Sequence, residues 1–108
     1  MHMTFLRPEE IDRKELMPGC TARLIHSENM TVACWSLDKG AEIPVHSHPH
    51  EQVSYVIEGD FEFTVGGRKK RMGPHHAAVI PPDTVHSGKA LSACLILDVF
   101  HPVREEYR

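Results

Sequence analysis

From Thr21 onward, apolar and polar positions alternate in short runs broken by Gly, Pro, Asn and Asp, and no long stretch keeps a helical period. Nine such runs predict strands: Ala22 to Ile25, Thr31 to Leu37, Ala41 to His46, Gln52 to Ile57, Phe61 to Val65, Arg68 to Met72, Ala77 to Ile80, Val85 to Lys89 and Ala93 to Phe100. The clearest hairpin joins Phe61–Val65 to Arg68–Met72 through Gly66-Gly67, a pair free to take the positive φ angles of a two-residue turn. Within it Phe61, Phe63 and Val65 share one face. Residues 4–19 are charged and bounded by Pro8 and Pro18-Gly19, which suits a helical turn or an extended arm. So many short strands bury their apolar faces only by packing on one another, which predicts an all-β sandwich or barrel.

The chain has 108 residues, room for one domain: an N-terminal arm over 1–20 and a barrel core over 31–104. Hydrophobic residues make up 41% and charged residues 25%, which excludes a disordered or fibrous chain. A net charge of −3 offers no excess of cations for a phosphate backbone, so nucleic acid is not an expected partner. No apolar run approaches the roughly 20 residues that cross a bilayer, and Met1-His2-Met3-Thr4 lacks the blocks of a signal peptide. These features predict a cytoplasmic protein that does not bind membranes. Cys20, Cys34 and Cys94 are odd in number and widely spaced, which predicts reduced, mostly buried thiols. A single small core gives limited stability, and an open sheet edge invites pairing, so a homodimer is expected.

Nine histidines is the departure from average composition, and three stand within five positions, His46-Ser47-His48-Pro49-His50. On an extended segment His46 and His48 point to the same side, enough to begin a metal site. Closing it takes donors from neighbouring strands, for which Gln52 and His86 are the candidates. Glu51 is one residue out of phase with Gln52, and His50 follows Pro49, which places it behind the ligands or at the rim rather than among them. The run Gly40-x5-His46-x-His48-x3-Gln52-x6-Gly59 resembles the first motif of the cupin superfamily, with Gln where that motif usually has Glu. Pro81-Pro82-Asp83-Thr84-Val85-His86 resembles the second motif, although the family's usual glycines are here His75 and Asp83 and its usual Asn is Ala90. The resemblance implies a jelly-roll barrel, the double-stranded β-helix, holding one divalent transition metal ion (Zn, Ni, Mn, Fe or Cu) on His46, His48, Gln52 and His86. With neutral donors throughout, the ion keeps its full charge and serves as a Lewis acid more readily than as a redox centre.

Leu95-Ile96-Leu97-Asp98-Val99-Phe100 puts Asp98 and Phe100 on the strand face opposite Leu97 and Val99, and Arg104 follows His101-Pro102. Spacing alone leaves two readings of this tail. Asp98 is a general acid or base with Phe100 as a wall and Arg104 as a carboxylate clamp, or it ends a strand and Arg104 is a solvated charge. Asp-x-Phe-x3-Arg at the end of a short cupin carrying Gln resembles the pectin-degradation cupins, which open 4,5-unsaturated uronates to linear ketouronates. That resemblance implies a small sugar-acid substrate, with Asp98 as acid/base, Phe100 as wall and Arg104 as clamp. A cupin dioxygenase and a non-catalytic ligand-binding cupin are the competing readings. His75 and His76 are expected at the surface, Trp35 and Tyr55 in the core, and His26 and His101 outside the site, with His101 near its rim.

Overall fold

The computed structural model describes residues 5–108, so the first four residues of the expected N-terminal arm lie outside the described residues. Ten strands run in chain order: β1 (Arg13–Met17), β2 (Cys20–His26), β3 (Thr31–Leu37), β4 (Glu42–His46), β5 (Glu51–Glu58), β6 (Phe61–Val65), β7 (Arg68–Met72), β8 (Ala77–Ile80), β9 (His86–Ala90) and β10 (Cys94–His101). They form a six-stranded sheet in the order β1-β2-β3-β10-β5-β8 and a four-stranded sheet in the order β4-β9-β6-β7. Every pairing is antiparallel. The nine expected strands are present, with ends moved by a residue or two. The arm holds both of the alternatives read from it, a 3₁₀ turn over Pro8–Glu10 and then β1. The charged sequence Arg13-Lys14-Glu15 suits an edge strand, where only one side of the ladder must be paired.

Between the sheets lie Trp35, Val56, Phe61, Ile80, Ile96 and Phe100, all buried. Alternation places Ile96, Asp98 and Phe100 of β10 inward, whereas Leu95, Leu97 and Val99 face outward. On that outer face Val53, Ile57, Val79 and Leu95 remain exposed. Cys20 and Cys94 are buried as expected, but Cys34 faces outward and is exposed, and all three thiols are free. The strand period explains the difference, because Cys34 alternates with the inward Ala33 and Trp35.

Turn chemistry fixes the register. Gly66 and Gly67 take φ of 56° and 80°, the left-handed pair that a tight hairpin requires. His75 and Asp83 adopt φ of 71° and 62°, so the turns where the family usually has glycine keep their shape with bulkier residues. Backbone bonds support both: His75 N–H donates to the Val56 carbonyl at 2.7 Å, and Asp83 N–H to the His48 carbonyl at 2.8 Å. Gly59 has φ of 95°, and a Cβ there would stand 2.3 Å from the Ala93 carbonyl oxygen and 2.9 Å from Cys94 Sγ. Gly59→Ala is therefore expected to cost about 2–4 kcal/mol, combining left-handed strain with overpacking. Urea unfolding reads this directly, and an unchanged midpoint would refute the close approach.

Candidate metal centre

His46 ends β4 and His86 begins β9, and the two residues face each other in the ladder between those strands. Their ring centroids are 4.2 Å apart. His48 lies beyond the end of β4, so strand alternation does not aim it. Its ring is held by Nδ1, which donates to the His50 carbonyl at 3.1 Å, and its centroid stands 4.9 Å from that of His86. The other two rings are anchored the same way: His46 Nδ1 donates to the Pro44 carbonyl and His86 Nδ1 to the Thr84 carbonyl, each at 2.8 Å. With every Nδ1 committed to a carbonyl, each imidazole is left with an Nε2 lone pair. One ring nitrogen from each of the three residues falls within 4.8 Å of the others, the spacing of a group that can hold a metal ion.

Burial favours the neutral form of His48 and His86. Desolvation is the main cause of the lowered pKa of His48, with the Arg104 charge next among the lowering effects. For His86 burial again dominates, and together with the neighbouring His46, His48 and Arg104 it brings the pKa down to about 4. Neutral imidazole is the form that binds a metal.

Gln52, on β5, turns inward and is buried, whereas Glu51 faces outward. Gln52 Oε1 stands 3.0 Å from His48 Nε2. Both are acceptors when Nδ1 of His48 carries the proton, so two lone pairs confront each other in a buried place. A cation between them relieves that conflict, and His86 Nε2 is likewise buried without a hydrogen-bond partner. The donor set thus fits a divalent ion.

The cavity beside these groups has a volume of about 250 Å³. His46, Gln52, His86, Asp98 and Arg104 line it, and Leu37, Ile43 and Phe61 are among its apolar walls. Asp98 Oδ2 accepts the Trp35 indole N–H at 3.0 Å, while Oδ1 is buried with no partner in bonding geometry. Burial pushes the Asp98 carboxyl up to about 6, against the opposing pull of Ser54, Trp35, Gln52 and the Arg104 charge.

Arg104 follows β10, and the C-terminal 3₁₀ turn Glu105–Tyr107 folds back over it. Its guanidinium carbon lies 4.3 Å from the Tyr107 ring centroid and 4.8 Å from that of Phe100. Nε donates to Glu106, the backbone N–H donates to Thr31 Oγ1 at 2.8 Å, and Nη1 is buried without a partner. Arg104 is 7% exposed, which removes the reading of a solvated tail charge.

A profile of the cupin domain family matches residues 33–100. This chain is a cupin. It is 28% identical over 102 residues to the pectin degradation protein KdgF of Dickeya dadantii, covering 92% of this chain and 93% of that one. The structure of KdgF from a Halomonas species superposes with a TM-score of 0.91 at 32% identity, covering 99% of this cupin and all of that chain. A cupin described as RmlC-like, from Shewanella frigidimarina, superposes with a TM-score of 0.93 at 29% identity, covering 99% and 97%.

In this cupin the structure brings all seven expected site residues to one place: His46, His48, Gln52, His86, Asp98, Phe100 and Arg104. His50 takes the first of its two expected places, buried beside His48 and outside the three-histidine group, its Nε2 donating to the Val103 carbonyl at 3.2 Å. His75 and His76 are exposed, and so is His101. Tyr55 is half-buried on the outer sheet face, where its hydroxyl meets His75 Nδ1 at 2.6 Å. Sequence reading misses Tyr107 and the role of Trp35. For Trp35 a signal exists in the register, since Ala33 pairs with Asp98 and the ring of Trp35, two residues on, shares its face.

Proposed function

We propose that this cupin opens a 4,5-unsaturated uronate to the linear ketouronate. The observation that carries the reading is the pair of unpartnered buried atoms, Arg104 Nη1 and Asp98 Oδ1, near the three-histidine group in a cavity of about 250 Å³. Arg104 binds the substrate carboxylate through Nη1, and its rings of Phe100 and Tyr107 hold the guanidinium plane. Asp98, poised near neutrality, delivers a proton to the enol-ether carbon and recovers one from the anomeric hydroxyl. The bond between the anomeric carbon and the ring oxygen breaks with its electron pair on that oxygen, leaving a ketone and an aldehyde. The net change moves one proton within the sugar, so no co-reactant is needed. A divalent ion held by His46, His48, Gln52 and His86 supplies Lewis-acid polarisation of a substrate oxygen.

The relatives named for pectin degradation support this reading, and the uncompensated charge of the neutral donor set suits it. The proposal includes one domain, a cytoplasmic setting and a homodimer whose second copy covers Val53, Ile57, Val79 and Leu95. No described helix is long and apolar enough to cross a membrane. The test is to add metal-analysed protein to unsaturated galacturonate and follow the ultraviolet absorbance of its double bond. Decay that stops on chelation and returns with the ion is expected. Oxygen uptake would favour the dioxygenase instead, and tight binding without decay would leave a non-catalytic cupin.

A further inference from the structure

Gln52 and Ser54 stand two residues apart on β5, so both side chains face inward, and they are 4% and 1% exposed. Gln52 Nε2 donates to Ser54 Oγ at 2.9 Å, which leaves Oε1 for the His48 side of the site. A carboxamide has two ends of nearly equal shape and opposite hydrogen-bonding character. Only one of them, the oxygen, can face a cation. A serine hydroxyl both donates and accepts, so Ser54 distinguishes the ends of the amide only if its own proton is committed elsewhere.

Asp98 commits it. Asp98 lies directly opposite Ser54 in the β5–β10 register, and its Oδ1 is buried with no hydrogen-bond partner, so it is an acceptor open to the Ser54 hydroxyl. The Trp35 indole N–H only donates and is spent on Asp98 Oδ2, which leaves Oδ1 as the open acceptor on this face. A Ser54 proton turned to Asp98 leaves the hydroxyl lone pair for the Gln52 amide hydrogen and the Gln52 oxygen toward the imidazoles.

We propose that Ser54 is a positioning residue that sets the direction of the Gln52 carboxamide, turning its oxygen rather than its NH₂ toward the three histidines. The inference rests on the reading of Gln52 as a metal donor. Without Ser54 the amide is free to rotate and donate its NH₂ to His48 Nε2, a bond that an incoming ion must break. A carboxylate at position 52 has oxygen at both ends and needs no such guidance.

That asymmetry supplies the test. Zinc affinity is measured by competition with a chromophoric chelator for the parent, Ser54→Ala, Gln52→Glu and the double variant. Ser54→Ala is expected to weaken zinc binding by about 10- to 100-fold when residue 52 is Gln and by less than about 3-fold when it is Glu. Ser54→Thr, which keeps the hydroxyl, should bind as the parent does. Ser54→Cys, a weak acceptor of similar size, repeats the comparison where alanine unfolds the chain. Equal losses in both backgrounds, or no loss in either, overturn the inference while leaving the metal site intact. Failure of both the parent and Gln52→Glu to bind zinc overturns the metal-site reading itself, and this inference with it.

Discussion

Asp98→Asn is expected to lower the rate of unsaturated uronate opening by about 10²- to 10⁴-fold, the range spanned by loss of a positioned acid or base. Asn fits the same space and still offers an oxygen to the Trp35 indole, so a fold defect is not the cause. The same variant should gain stability at neutral and alkaline pH. The Asp98 carboxyl rises from 3.8 to about 6 because burial disfavours its charge. Between those values the folded chain binds more protons than the unfolded one, so this group's contribution to stability falls as pH rises through the window. Above about pH 6 the fold carries a buried anion at its full cost, roughly 2–3 kcal/mol from the shift. Asn removes that cost. Thermal melts of metal-free protein should place Asp98→Asn above the parent at pH 8, with the gap closing toward pH 4. Equal melting temperatures at pH 8 together with normal turnover would sink the assignment of Asp98 as a buried acid/base.

His86→Ala is expected to abolish ordinary metal retention, with a loss beyond the about 100-fold that an outer partner commands. His86 is 3% exposed, faces His46 across the β4–β9 ladder, and has its Nε2 free of any hydrogen bond. Among the described residues, the histidine donor group consists of His46, His48 and His86 alone. His50, whose ring lies beside that of His48, has its Nε2 engaged by the Val103 carbonyl. The measurement is thermal stabilisation by added zinc. An ion present at about 100 times its dissociation constant stabilises the parent by roughly 2.7 kcal/mol, and His86→Ala should show almost none of that gain. An undiminished zinc shift would show that the three histidines do not act as one donor group.

Much of this is legible in the chain itself. Strand periodicity located nine of the ten strands, and the Gly66-Gly67 hairpin formed as its φ angles demand. The site was legible where spacing and chemistry coincide, as at His46, Gln52 and His86. It was less so where tertiary contacts decide. β1 is too polar to announce itself and exists because β2 offers a free edge. His48 is aimed by a carbonyl in its own turn rather than by pleat parity. Tyr107 reaches Arg104 only because the chain folds back after β10, a turn that no periodicity marks.

The candidate donors come from both layers of the fold. His46 and His86 belong to the four-stranded sheet, whereas Gln52 comes from the six-stranded one. No strand is shared between these sheets, so an ion seated there acts as a rivet joining two leaves at the mouth of the barrel. Loading would then tie the two sheets to each other as well as equip the chemistry, so that metal binding and cohesion between the leaves rise or fall together.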